Sequence, residues 1–128
     1  MQLIERTSYL ITQCEEAKNR FFHMREFNLQ PDFFSEVKPY ADHIHEQLQL
    51  WQQLATEWRV KHQPKYMHTQ QINQVVDAME QFIVQSFYKE TSKKRFLQSI
   101  HSVHYTLSTM LRYLKEGEMN VQQEEDDF

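Results

Sequence analysis

A single glycine and three prolines in 128 residues leave too few turn formers for a many-stranded β protein, where turns would recur roughly every 8–12 residues. Glycine is absent before Gly117, which removes any glycine-rich phosphate loop. The one cysteine, Cys14, excludes an intrachain disulfide and fits a reducing compartment. No apolar run approaches the ~20 residues that a membrane span requires, and the opening MQLIERTSYL lacks the basic-then-apolar order of a secretory leader. These absences point to a soluble, cytoplasmic, all-α protein without a membrane partner.

What is present fits that reading. Apolar residues make up 40% of the chain, enough for one core and too many for a disordered segment. The net charge of −4 is unevenly placed. Residues 118–128 hold Glu118, Glu124, Glu125, Asp126 and Asp127 with no base, so setting those five acids aside leaves the body at +1. A nearly neutral body shows no overall basic footprint of a nucleic-acid binder.

Four stretches keep the alternating spacing of four and three that builds one apolar face of a helix. Leu3, Thr7, Leu10, Cys14, Ala17, Phe21 and Met24 form the first; Val37, Ala41, Ile44, Leu48, Trp51, Ala55 and Trp58 form the second. Ile72, Val76, Met79, Ile83 and Ser86 form the third, and Phe96, Ile100, Val103, Leu107, Met110 and Leu114 the fourth. Asn28–Pro31, Pro64–His68 and Tyr88–Ser92 interrupt the pattern. Pro39 predicts a short helix near 32–37 and then a kink or restart at Lys38–Pro39. Thr69 and Thr91 are the expected N-caps of the third and fourth helices, and Gly117 the expected left-handed stop. Short connections make neighbours antiparallel. The expected fold is a four-helix up-and-down bundle with left-handed twist over residues 1–117, followed by a disordered acidic tail over 118–128.

The segments DFFSEVKPYAD, the tryptophan pair Trp51 and Trp58, PKYMHTQQI, SFYKETSKKRF and HSVHYTL together resemble the YppE-like family of Bacillus-type bacteria over roughly residues 5–115. The resemblance implies a left-handed up-and-down four-helix bundle in the cytoplasm of low-GC Gram-positive bacteria. It implies no activity, catalytic residue or cofactor, and the acidic tail lies outside it.

The candidate sites are few. Tyr88, Lys89, Lys93, Lys94 and Arg95 cluster around the third loop, framed by Phe87 and Phe96. Cations at a helix start oppose the macrodipole, a mild local cost without structural return. This basic–aromatic corner is therefore the expected docking site for an unidentified protein partner, with a solubilising helix start as the plainer reading. Single-stranded nucleic acid is a weaker alternative occupant. His101 and His104 share a helix face at i, i+3 and with His45 or His43 offer at most a weak metal set, the basis of an alternative metal-dependent bundle enzyme. Solvated histidines are the commoner outcome, and no cofactor is expected. Cys14 lies on the apolar seam, where a thiol is inert packing. Tyr66 is expected to fold back over the core from the 62–69 loop, beside Lys65 and His68. Leu50, near Ile44, leaves monomer and homodimer both open.

Overall fold

The computed structural model describes the backbone of residues 2–126 and the side chains of residues 2–117. Four long helices account for it: α1 (Gln2–Glu26), α2 (Lys38–His62), α3 (Thr69–Gln85) and α4 (Lys93–Asp126), with a π-helical turn over Phe33–Val37 before α2. Cross-helix pairs show that sequential neighbours run antiparallel, because as one index rises its partner's falls. Gln13 meets Tyr40 while Thr7 meets Trp51; His45 meets Glu80 while Gln52 meets Asn73. The last helix likewise runs antiparallel to the first, Glu15 facing His104 and Phe21 stacking on Phe96. The fold is an all-α up-and-down four-helix bundle.

The heptad seams form the core. Every seam position of α1, α3 and α4 is buried, as are Ile44, Leu48, Trp51 and Ala55 of α2. Ala41 and Trp58 are half-buried at the margin. Each fully buried leucine, isoleucine or phenylalanine contributes about 2 kcal/mol of hydrophobic stabilisation. The polar seam residues are satisfied locally. The Thr7 hydroxyl donates to Leu3 O at 2.7 Å and accepts from Trp51 Nε1 at 3.0 Å, and the Ser86 hydroxyl donates to Ile83 O at 2.6 Å.

The helix ends follow from backbone chemistry. Asn28 takes a left-handed conformation (φ 51°), and Leu29 N–H reaches back to Met24 O at 2.9 Å, the six-to-one bond that closes a helix with its orphan carbonyl satisfied. Asp32 then accepts from Ser35 N–H at 3.0 Å, a bond that holds its carboxyl below its ordinary pKa, while its own N–H donates to Glu36 Oε2 at 3.0 Å. Pro39 falls in the first turn of α2, where its missing N–H would have had no helical partner. The π-helical turn runs directly into α2, with Val37 and Lys38 both in right-handed helical conformation and Lys38 N–H donating to Phe33 O, so no restart interrupts the chain at Lys38–Pro39.

Three expected boundaries need correction. The residue before α3 is His68, whose N–H donates to Gln71 Oε1 at 2.7 Å, so Thr69 is already inside the helix. Thr91 does not cap α4 either: its hydroxyl donates to Gln85 O at 2.9 Å, and Ser92 O accepts from Phe96 N–H. Gly117 does not end α4, which continues to Asp126 without positive φ at the glycine. One interior glycine costs about 1 kcal/mol against alanine, too little to break a helix of 34 residues. The expected boundary between 117 and 118 thus has no helix end to mark it, and the tail's side chains lie outside the described residues.

Candidate functional site

The connections after α1 and after α3 meet at one end of the bundle, where Lys89 Nζ donates to Asn28 Oδ1 at 2.7 Å. Beneath them lies an aromatic floor. Phe21 stacks on Phe96 at 4.3 Å between centroids, and Phe82 meets Phe96 edge-on at 6.3 Å. Beside this floor the Arg20 guanidinium is held between two rings, 4.5 Å from the Tyr40 centroid and 4.6 Å from that of Phe87. Its Nη1 also donates to Ser86 Oγ at 3.1 Å, joining α1 to the end of α3. Burial pushes the Tyr40 phenol above its ordinary pKa, against the lowering influence of Arg20. The phenol donates to Gln13 Oε1.

The expected site residues stand on that floor in different ways. Lys94 and Arg95 are exposed, as is Lys93, whose ammonium lies 5.5 Å over the Phe22 ring. Tyr88 and Lys89 are half-buried, Lys89 held by Asn28. Phe96 is a core plug.

The apolar half of this surface was not anticipated. Phe22, Phe27, Leu29, Phe33 and Phe34 are all exposed, Phe34 at 79% and Phe27 at 58%. They come from the end of α1 and the segment that turns into α2, the side joined to the lysine loop through Asn28 and Lys89. The signal was available: four large apolar residues flank Pro31 off any helical seam.

The histidines separate. His45 lies on the α2–α3 edge and pairs with Glu80. His101 and His104 line an open groove between α1 and α4 with Cys14, Glu15 and Lys18. His104 Nε2 is 3.6 Å from Glu15 Oε1. The three-histidine set considered from the sequence is not brought together, and among the described residues no three His, Cys, Asp or Glu side chains converge on a metal position. The fold places the two histidine groups on different helix pairs. At the opposite end of the bundle Tyr66 is 58% exposed and Met67, at 1%, is the residue that enters the core. Tyr66 therefore does not cover the core as expected. The left-handed Gln63 (φ 45°) redirects the chain, and the next loop residue turns inward instead. Among the described residues no helix is long and apolar enough to cross a membrane.

Comparison with known proteins places this arrangement. The chain is 33% identical over 105 residues to the uncharacterised protein YppE of Bacillus subtilis, covering 82% of this chain and 85% of that one. The crystal structure of that protein superposes with a TM-score of 0.88 at 30% identity, covering 92% and 96% of the two chains. A Listeria innocua protein of unknown function superposes equally well, with a TM-score of 0.88 at 28% identity and coverage of 93% and 95%. A Staphylococcus aureus domain of unknown function gives 0.79 at 26% identity, covering 87% and 94%. The profile of the bacterial domain of unknown function DUF1798 matches residues 7–114, and the chain belongs to that family.

Proposed function

We propose that the protein is a non-enzymatic interaction module that takes a protein partner at its basic–aromatic end. The observation that carries the reading is the composition of that end. Exposed Lys93, Lys94 and Arg95 begin α4, and exposed Phe22, Phe27, Leu29, Phe33 and Phe34 lie on α1 and its connection to α2 at the same end of the bundle, where Lys93 sits 5.5 Å over the Phe22 ring and Lys89 bonds Asn28. Such a surface fits a segment that alternates acids with large apolar side chains. The apolar contacts would supply affinity, and the charges orientation and rate of encounter.

Selection of random peptides on the immobilised full chain tests this. Acidic sequences bearing Phe, Leu or Trp are expected to be enriched, and a Phe34→Ser/Lys94→Glu double variant with an unchanged helical spectrum is expected to lose them. Lack of enrichment, or enrichment that persists on the variant, defeats the proposal. Salt-sensitive oligonucleotide binding of comparable strength would replace it with the nucleic-acid reading.

A further inference from the structure

Resting on that reading of the end, we infer that its occupant is residues 118–128 of a second copy, which joins chains head to tail. The segment reads EMNVQQEEDDF, five acids and no base with Met119, Val121 and Phe128 among them. This is the chemistry that the basic–aromatic end accepts. Geometry prevents the segment from serving its own chain. The helix α4 leaves that end at Lys93 and runs 34 residues to Asp126. At 1.5 Å per residue that is about 50 Å, which carries the backbone of Glu124, Glu125 and Asp126 to the opposite end of the bundle.

The two ends of α4 are also complementary in a way that neither end explains alone. Lys93, Lys94 and Arg95 occupy the first turn, where the macrodipole is already positive, and no acid accompanies them. Glu124, Glu125 and Asp126 occupy the last turn, where it is already negative, and no base accompanies them. Each arrangement costs a little in an isolated molecule. Docking the acidic end of one copy on the basic end of the next relieves both. The contact is heterologous, so it produces chains or a closed ring according to the rotation between copies.

The test uses the full chain. Sedimentation velocity at low salt is expected to show a weight-average mass that rises with concentration and returns to monomer at about 0.5 M salt, where exposed charges are screened. A fluorescent peptide of residues 118–128 is expected to bind the full chain, and a Lys93→Glu/Lys94→Glu/Arg95→Glu variant to bind it at least tenfold more weakly. That variant places acids at a helix start, which favours its folding. Reversing Glu124, Glu125, Asp126 and Asp127 to lysine is expected to abolish association, and combining both sets of reversals to restore it. A monomer at every concentration with no peptide binding overturns the inference, and so does association that survives either reversal. If selected acidic–aromatic peptides still bind such a monomer, the end is a docking site for another protein and only the second-copy occupant fails. If neither binds, both readings fail.

Discussion

Lys89 Nζ donates to Asn28 Oδ1 at 2.7 Å, and that single bond ties the α1–α2 connection to the α3–α4 connection across 61 positions of sequence. Asn28 serves two purposes there. Its left-handed backbone (φ 51°) closes α1, and its side chain anchors the lysine loop beside the exposed phenylalanines. The two contributions are separable. Asn28→Gly keeps the backbone and loses the tie, whereas Asn28→Ala loses both. Since a left-handed non-glycine residue costs roughly 1–2 kcal/mol, the alanine variant is expected to be less stable than the glycine variant by about 1 kcal/mol. Urea denaturation of the two proteins measures the difference, and equal midpoints would show that Asn28 matters only through its side chain.

A second prediction concerns the polar break in the seam of α1. The Thr7 hydroxyl accepts from Trp51 Nε1 at 3.0 Å within the core. Thr7→Val keeps the shape but strands a buried indole N–H, which costs about 1–3 kcal/mol. Thr7→Ser restores the acceptor and removes only a methyl group. The valine variant is expected to be the less stable of the two. The reverse order would mean that shape at this position outweighs the hydrogen bond.

The helical seams were legible because a spacing of four and three repeats for the length of each helix, so a misread residue is outvoted by its neighbours. Phe21, Leu48, Met79 and Leu107 needed nothing else to be placed in the core. The loops offer no such redundancy. Thr69 and Thr91 were expected as caps because threonine is a good cap in general, but the capping bond before α3 is made at His68, and the Thr91 hydroxyl bonds Gln85 O instead. The same limit governed the site. The cations of the third loop could be named from their grouping. The large apolar residues around Pro31 stand off every seam, which is a signal, but whether Phe33 and Phe34 turn inward depends on how the Asp32 turn aims the following residues.

That limit is sharpest at Tyr66 and Met67, where the larger and more aromatic residue stays outside. Met67→Ala removes a fully buried side chain from the end of the core and is expected to cost about 2–4 kcal/mol. Tyr66→Ala should fall within about 0.5 kcal/mol of the parent, as exposed substitutions do. Chemical denaturation of the pair decides which residue seals this end. A large loss at Tyr66 with a small one at Met67 would restore the arrangement expected from sequence.

The last prediction follows from Cys14, buried on α1 with its thiol pushed up to about 12 from an ordinary value of 9.0, first by burial and then by the neighbouring Glu15 carboxylate. In the unfolded chain the thiol ionises near the ordinary value, while in the bundle it keeps its proton to the higher one. Between the two the unfolded state binds fewer protons than the folded state, so stability falls as pH rises. The contribution is fully present below the ordinary value and is lost through the window up to about 12. One proton released on unfolding corresponds to at most about 1.4 kcal/mol for each pH unit. Tyr9 and Tyr40, both raised by burial, add slope in the upper part of the same window. Cys14→Ala removes the thiol's share and leaves that of the tyrosines. The variant is expected to be less stable than the parent near neutrality, through lost packing, and to close the gap as the pH is raised. Thermal midpoints of both proteins measured from neutral to alkaline pH test this. Parallel curves would mean that the thiol ionises at the same pH in the folded and unfolded chains.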